Sequence, residues 1–135
     1  AKNAFDNYHK VQIDDMQFDV RIARSPVELN TGLMYQKKLR RNHGMLFIFN
    51  SPKKVSFWMK NTSLKLDIAF FEADGELVGI HALYPYNEIP LYSKSNNIKY
   101  ALEMNRNWFQ ENSIKVGCKL NVKRLNKLIK EFKLN

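Results

Sequence analysis

VSFWMKNTSLKLDIAFFEADGELVGIH, residues 55–81, holds the densest apolar sequence of the chain, and its punctuation decides the fold. Residues 66–73 and 76–82 flank Asp74-Gly75, a pair suited to the positive φ angles of a tight turn, which predicts a β-hairpin. From Val55, alternation puts Val55, Phe57 and Met59 on one side of a strand and Ser56, Trp58 and Lys60 on the other. Between these strands stands Lys60-Asn61-Thr62, and inside the apolar run 66–71 a single acid, Asp67. On its strand Asp67 shares a side with Lys65, Ala69 and Phe71, opposite Leu66, Ile68 and Phe70. A buried, unpaired carboxylate costs several kcal/mol, so Asp67 must be hydrated, held by backbone amides or paired with a cation such as Lys60.

Working outward, Met16, Phe18, Val20 and Ile22 alternate with Gln17, Asp19, Arg21 and Ala23, the period of a half-buried strand, with Val11 and Ile13 as its hairpin partner. Ser25-Pro26-Val27-Glu28 is a helix start: Ser accepts from first-turn amides, Pro presets φ and Glu reaches back. A helix from Pro26 to about Tyr35 follows. The basic loop Lys37 to Arg41 leads into the apolar run 45–49, a central strand ended by Asn50-Ser51-Pro52. Residues 83–97 hold two prolines and three tyrosines with no sustained period, a long loop of the kind that carries function. Ile98, Tyr100, Leu102 and Met104 alternate as a strand, residues 105–112 suit one helical passage, and 119–122 a short strand. Leu125, Leu128, Ile129 and Phe132 then draw one apolar stripe on a basic terminal helix.

The 135 residues fit one domain. Residues 1–9 read as a loose arm, 10–122 as the globular unit and 123–135 as the amphipathic helix. The fold class is mainly β (α+β): a compact domain on a partly closed mixed sheet or barrel, with short helices. No apolar run approaches the ~20 residues of a membrane-spanning helix. One cysteine, Cys118, excludes an internal disulfide and any multi-cysteine metal site, and His9, His43 and His81 are widely separated. The formal charge of +9 invites a nucleic-acid or anionic-membrane reading. Against it, 16 Lys outnumber 6 Arg and Asn reaches 15, a joint excess that AT-rich coding would produce without selection for binding.

Gly32-Leu33-Met34, Gly44-Met45-Leu46-Phe47, Phe57-Trp58-Met59-Lys60-Asn61-Thr62, Leu66-Asp67-Ile68, Asp74-Gly75, Tyr100-Ala101-Leu102-Glu103 and Val116-Gly117 together resemble the domain-of-unknown-function 192 family. The resemblance covers roughly residues 15–122, and FWMKNT followed by LDI is its most specific part. It implies a compact, mainly β domain of bacteria and archaea, often behind an export or lipid-attachment sequence and hence of the cell envelope or periplasm, with no established activity. Gln36 departs from the family's usual Arg, and Asn107, Ser113 and Cys118 from its usual Gly, Gly and Asp.

The candidate site is polar and lies beside Trp58: Lys60, Asn61, Thr62 and Asp67, with Tyr84 and Tyr86 from the long loop. Glu103, opposite Tyr100 and Leu102 on its strand, is either a solvated acid or a second carboxylate there. No Gly-x-Ser-x-Gly elbow, phosphate-cradling glycine loop or His-Glu-x-x-His pair occurs, and neither metal nor cofactor is implied. The leading expectation is a non-enzymatic binding or accessory domain holding a small polar ligand or a protein partner. The alternatives are a hydrolase using Asp67 and Glu103 across a common cleft, with Lys60 stabilising negative charge, and a basic module attaching to nucleic acid or anionic lipid through Lys37 to Arg41 and the terminal helix. For that helix, docking on the domain is preferred to a membrane-surface role.

Overall fold

A computed structural model describes residues 7–132. Eight strands and three helices follow one another as β1 (His9–Ile13), β2 (Met16–Ala23), α1 (Pro26–Thr31), β3 (His43–Lys53), β4 (Ser56–Phe57), β5 (Leu66–Glu72), β6 (Leu77–Leu83), β7 (Leu91–Tyr92), β8 (Ile98–Asn105), α2 (Trp108–Glu111) and α3 (Val122–Phe132). Of the expected arm, residues 1–6 lie outside the described residues, and His9 already belongs to β1.

Six strands form one mixed sheet in the order β1-β2-β3-β8-β5-β6, and β4 pairs with β7 in a small ribbon. The β1–β2 and β5–β6 hairpins are the two predicted from alternation and turn chemistry. Gly75 takes the turn's positive φ of 94°. The sheet is open between its edge strands. At one end Lys119 and Leu120 bridge to both edges, Leu120 opposite Ile13 and Lys119 opposite Glu76, so the expected strand at 119–122 is a pair of isolated bridges.

Strands β2 and β3 are parallel, so the chain must cross over between them, and α1 lies in that crossover. Its start is the capping box the sequence announces: Glu28 N donates to Ser25 Oγ at 3.1 Å, and Ser25 N donates to Glu28 Oε1 at 3.0 Å. The helix ends at Thr31 rather than near Tyr35, because Gly32 turns to φ +48° and Tyr35 to +64°. Two further expectations are corrected. Asn50-Ser51-Pro52 does not end β3, which runs to Lys53 across a register shift against β8. The strand from Val55 shrinks to Ser56–Phe57, although its alternation survives, with Val55 and Met59 buried and Ser56, Trp58 and Lys60 exposed.

The sheet is covered on both faces, and alternation sorts the core into two clusters. Leu46, Ile48, Ala69, Phe71, Leu102 and Met104 pack on one face with Trp108, Phe109 and Leu125 of the later helices. Met45, Phe47, Ile68, Phe70 and Ala101 pack on the other with Leu33, Val55 and Met59. On α3, Leu125 is buried in the first cluster, with Val122, Leu128 and Ile129 packed against it. Among the described residues no helix is long and apolar enough to cross a membrane.

Candidate functional site

Strand β8 sets the geometry of every acid considered. Glu103 pairs with Met45 of β3 and with Ile68 of β5, while Asp67 pairs with Met104. Side chains at paired positions share a face and sequence neighbours do not. Asp67 therefore points to the Met104 face and Glu103 to the Met45 and Ile68 face. The expected acid–base pair of Asp67 and Glu103 across one cleft is thus corrected: the sheet itself stands between the two carboxyl groups.

Asp67 is an anchor. Arg106 Nε lies 2.9 Å from its Oδ1, and the Asn107 backbone amide donates to its Oδ2 at 2.9 Å. The same guanidinium donates to the carbonyls of Leu66 at 3.2 Å and Leu83 at 2.6 Å, which ties β5, β6 and the end of β8 together. Lys60 takes no part in this: its Nζ stands 5.3 Å from the centroid of the Trp58 ring. Of the alternatives open to Asp67, a backbone amide and a cation both hold it, and the cation is Arg106 rather than Lys60.

Lys60-Asn61-Thr62 forms a turn whose polar groups are mostly spent locally. Asn61 has φ 56° and its carbonyl accepts from Tyr35 N at 2.8 Å. Thr62 Oγ1 donates to the Lys60 carbonyl at 3.0 Å, and Tyr86 N donates to the Thr62 carbonyl at 3.0 Å. Tyr84 stands under Arg106, whose Cζ is 5.0 Å from the ring centroid, and the side chains of Tyr84 and Tyr86 are exposed. Trp58 and Met59 border a shallow hollow shared with Tyr84 on one side.

On the other side Trp58, Met59 and Thr62 border a half-open pocket with about 90 Å³ of internal space. Its walls are the end of α1 and the turn after it, residues 29–34, together with Phe47 of β3 and residues 56–59. Glu103 is its acid, only 4% exposed, and among the described residues its carboxyl group has no hydrogen-bond or ion-pair partner. Burial alone pushes its pKa up to about 8, because nothing nearby compensates the ionised form. At neutral pH most of this carboxyl is protonated, able to donate one hydrogen bond and accept others.

Of the sequence-derived site, then, Trp58, Thr62 and Glu103 come together at this cavity, whereas Asp67 lies on the far face and Tyr84 and Tyr86 lie outside the lining. Gly32, Leu33, Met34 and Phe47 were missed as walls. A signal for them existed: the GLM, GMLF, FWMKNT and ALE motifs, far apart in sequence, all reach this one cavity. Asn107 and Ser113, where the family resemblance implies Gly, take φ of 72° and 57°. Cys118, where it implies Asp, accepts from Lys115 N with its sulfur at 3.5 Å. Among the described residues no three His, Cys, Asp or Glu side chains cluster as a metal site.

Comparison with known proteins agrees with this architecture. A Sinorhizobium meliloti 1021 protein, provisionally described as a transcription regulator, superposes with a TM-score of 0.83 at 29% identity, covering 90% of this chain and 97% of its own. A Novosphingobium aromaticivorans DSM 12444 protein of unknown function gives a TM-score of 0.78 at 30% identity, with 84% of each chain covered. No curated protein matches the chain. The DUF192 family, described as an uncharacterized ACR, matches over residues 9–122, and the chain belongs to that family.

Proposed function

We propose that this protein is a small-ligand-binding domain whose site is the cavity beside Trp58, with Glu103 as its polar contact. The single observation that carries the reading is the carboxyl of Glu103, a residue only 4% exposed that lines a half-open pocket with no partner among the described residues. A ligand's polar end entering the pocket would make the hydrogen bond that no described protein group makes to this carboxyl. With about 90 Å³ available, the cavity takes an end group of a few non-hydrogen atoms, not a whole metabolite. The binding reading is preferred to a hydrolase because the second carboxylate such a reaction needs is on the opposite face. A place at the cell envelope goes with this function, as the family resemblance implies, and fractionation of the host cell tests it.

The methyl signals of Met34 and Met59, which border the cavity, provide the test. Small polar fragments such as short amides, alcohols and amines at millimolar concentration should shift both signals in the wild type. Glu103→Leu, which removes the carboxyl and leaves Asn30, Thr31, Ser56 and Thr62 in the lining, should weaken the shifts at least severalfold while the fold persists. Met34 and Met59 signals that no fragment moves would defeat the proposal.

A further inference from the structure

We propose that the Glu103 cavity takes the primary ammonium head of an organic amine, held against Phe47, Phe57 and Trp58 and ion-paired with the Glu103 carboxylate. This rests on the binding reading above and adds the chemical class of the ligand.

Three observations favour a cation. First, the chain carries 22 Lys and Arg against 13 Asp and Glu, yet the one ionisable side chain in the cavity wall is an acid. Charged groups on the surrounding elements have contacts of their own. Lys99, on the Glu103 side of β8, donates to the Phe49 and Asn50 carbonyls, and His81, opposite Ile68, has its ring 5.8 Å from that of Phe70. Arg21 of β2, in register with Met45, has its guanidinium 5.6 Å from the Tyr8 ring centroid. Glu28 of α1 is committed to the capping box, and Lys60 lies over Trp58 without lining the cavity. Second, three of the lining side chains, Phe47, Phe57 and Trp58, are aromatic, and aromatic rings attract ammonium groups. Third, the carboxyl end of α1 borders the cavity, and helix carbonyls favour positive charge.

Binding then carries a proton balance. Free Glu103 is largely protonated near pH 7, with a pKa of about 8 caused by desolvation. The arriving ammonium supplies the missing counter-charge, the carboxyl O–H bond breaks, and its proton leaves to solvent as the ion pair forms. Affinity should therefore rise by up to about tenfold per pH unit below pH 8 and level off above it. A neutral ligand that uses the protonated carboxyl as a donor gives the opposite sign.

The experiment titrates the whole chain with n-propylammonium, 1-propanol and propionamide at pH 6, 7 and 8, following the Met34 and Met59 methyl signals. Calorimetry in two buffers of unlike ionisation enthalpy counts the protons. The expected result is n-propylammonium binding that tightens with pH and releases up to one proton, and that Glu103→Gln abolishes while its unfolding curve stays cooperative. If only the alcohol or amide moves the two methyl signals, or if ammonium affinity is flat or falls with pH, the ammonium assignment is overturned and the binding site stands. If none of the three probes moves them, both are overturned.

Discussion

Asp67 and Arg106 meet at 2.9 Å across the end of the β5–β8 ladder, and the Arg106 guanidinium reaches on to two main-chain carbonyls. Both side chains are largely buried, so removal of one leaves the other as an uncompensated charge. Asp67→Ala should cost about 2–4 kcal/mol, at the lower side of what breaking a buried pair costs because some solvent access remains. Lys60→Ala, which removes only an exposed cation–π contact, should cost less than about 1 kcal/mol. Urea unfolding of both variants decides it, and equal losses would mean that Asp67 is not the anchor described.

Glu103 makes stability depend on pH in an unusual direction for an acid. Its folded pKa of about 8 lies above its ordinary 4.5, so between those values the folded state binds more protons than the unfolded one. The contribution is fully present below about pH 4.5 and is lost as pH rises through about 8. Unfolding free energy should fall by on the order of 1 kcal/mol per pH unit over the steep part of that window. Glu103→Gln should be flat there and more stable than the wild type at pH 8. Denaturant titrations at pH 5, 6, 7 and 8 measure this, and parallel curves for the two proteins would contradict a buried, unpaired Glu103.

What the sequence disclosed about this site, and what it hid, follows from how far each rule reaches. The Ser25 to Glu28 box, the Asp74-Gly75 turn and the alternation of β2 and β8 depend on neighbours a few residues apart, and these were legible. Which strands pair is set by contacts distant in sequence, so Lys60 looked like the partner of Asp67 while Arg106 arrived through the β5–β8 ladder. The face of Glu103 was half legible. Its opposition to Tyr100 and Leu102 was correct, but that side of the sheet is covered by α1 and the Trp58 segment. An acid opposite Leu102 is therefore buried instead of solvated.

Ser113 and Asn107 test the backbone account of the family departures. Both stand at positive φ where the family resemblance implies Gly, and of the two side chains Asn tolerates that region more readily than Ser. Ser113 is exposed and its side chain has little packing to lose. Ser113→Gly should raise stability by about 0.5–1 kcal/mol, whereas Asn107→Gly should change it by no more than about 0.5 kcal/mol. Thermal unfolding of the two variants provides the comparison, and a destabilised Ser113→Gly protein would show that φ at this turn is not under strain.

Leu125 decides the role of α3. It is 1% exposed, and Val122, Leu128 and Ile129 pack beside it against the β1 side of the core. Phe132 is 58% exposed, with its ring 5.4 Å from His9. A membrane-surface helix would need the apolar stripe free for lipid, but the centre of the stripe is already spent inside the protein. Leu125→Ala should therefore cost about 2–4 kcal/mol, the range for a buried leucine. Truncation after Val122 should lower the unfolding midpoint more than Phe132→Ala does. Sedimentation with anionic vesicles at low salt, which electrostatics alone would drive, should be weak and equally lost by Lys127→Ala and Lys130→Ala without a change in stability. A truncated chain of undiminished stability that no longer sediments with vesicles would instead assign α3 to the membrane surface.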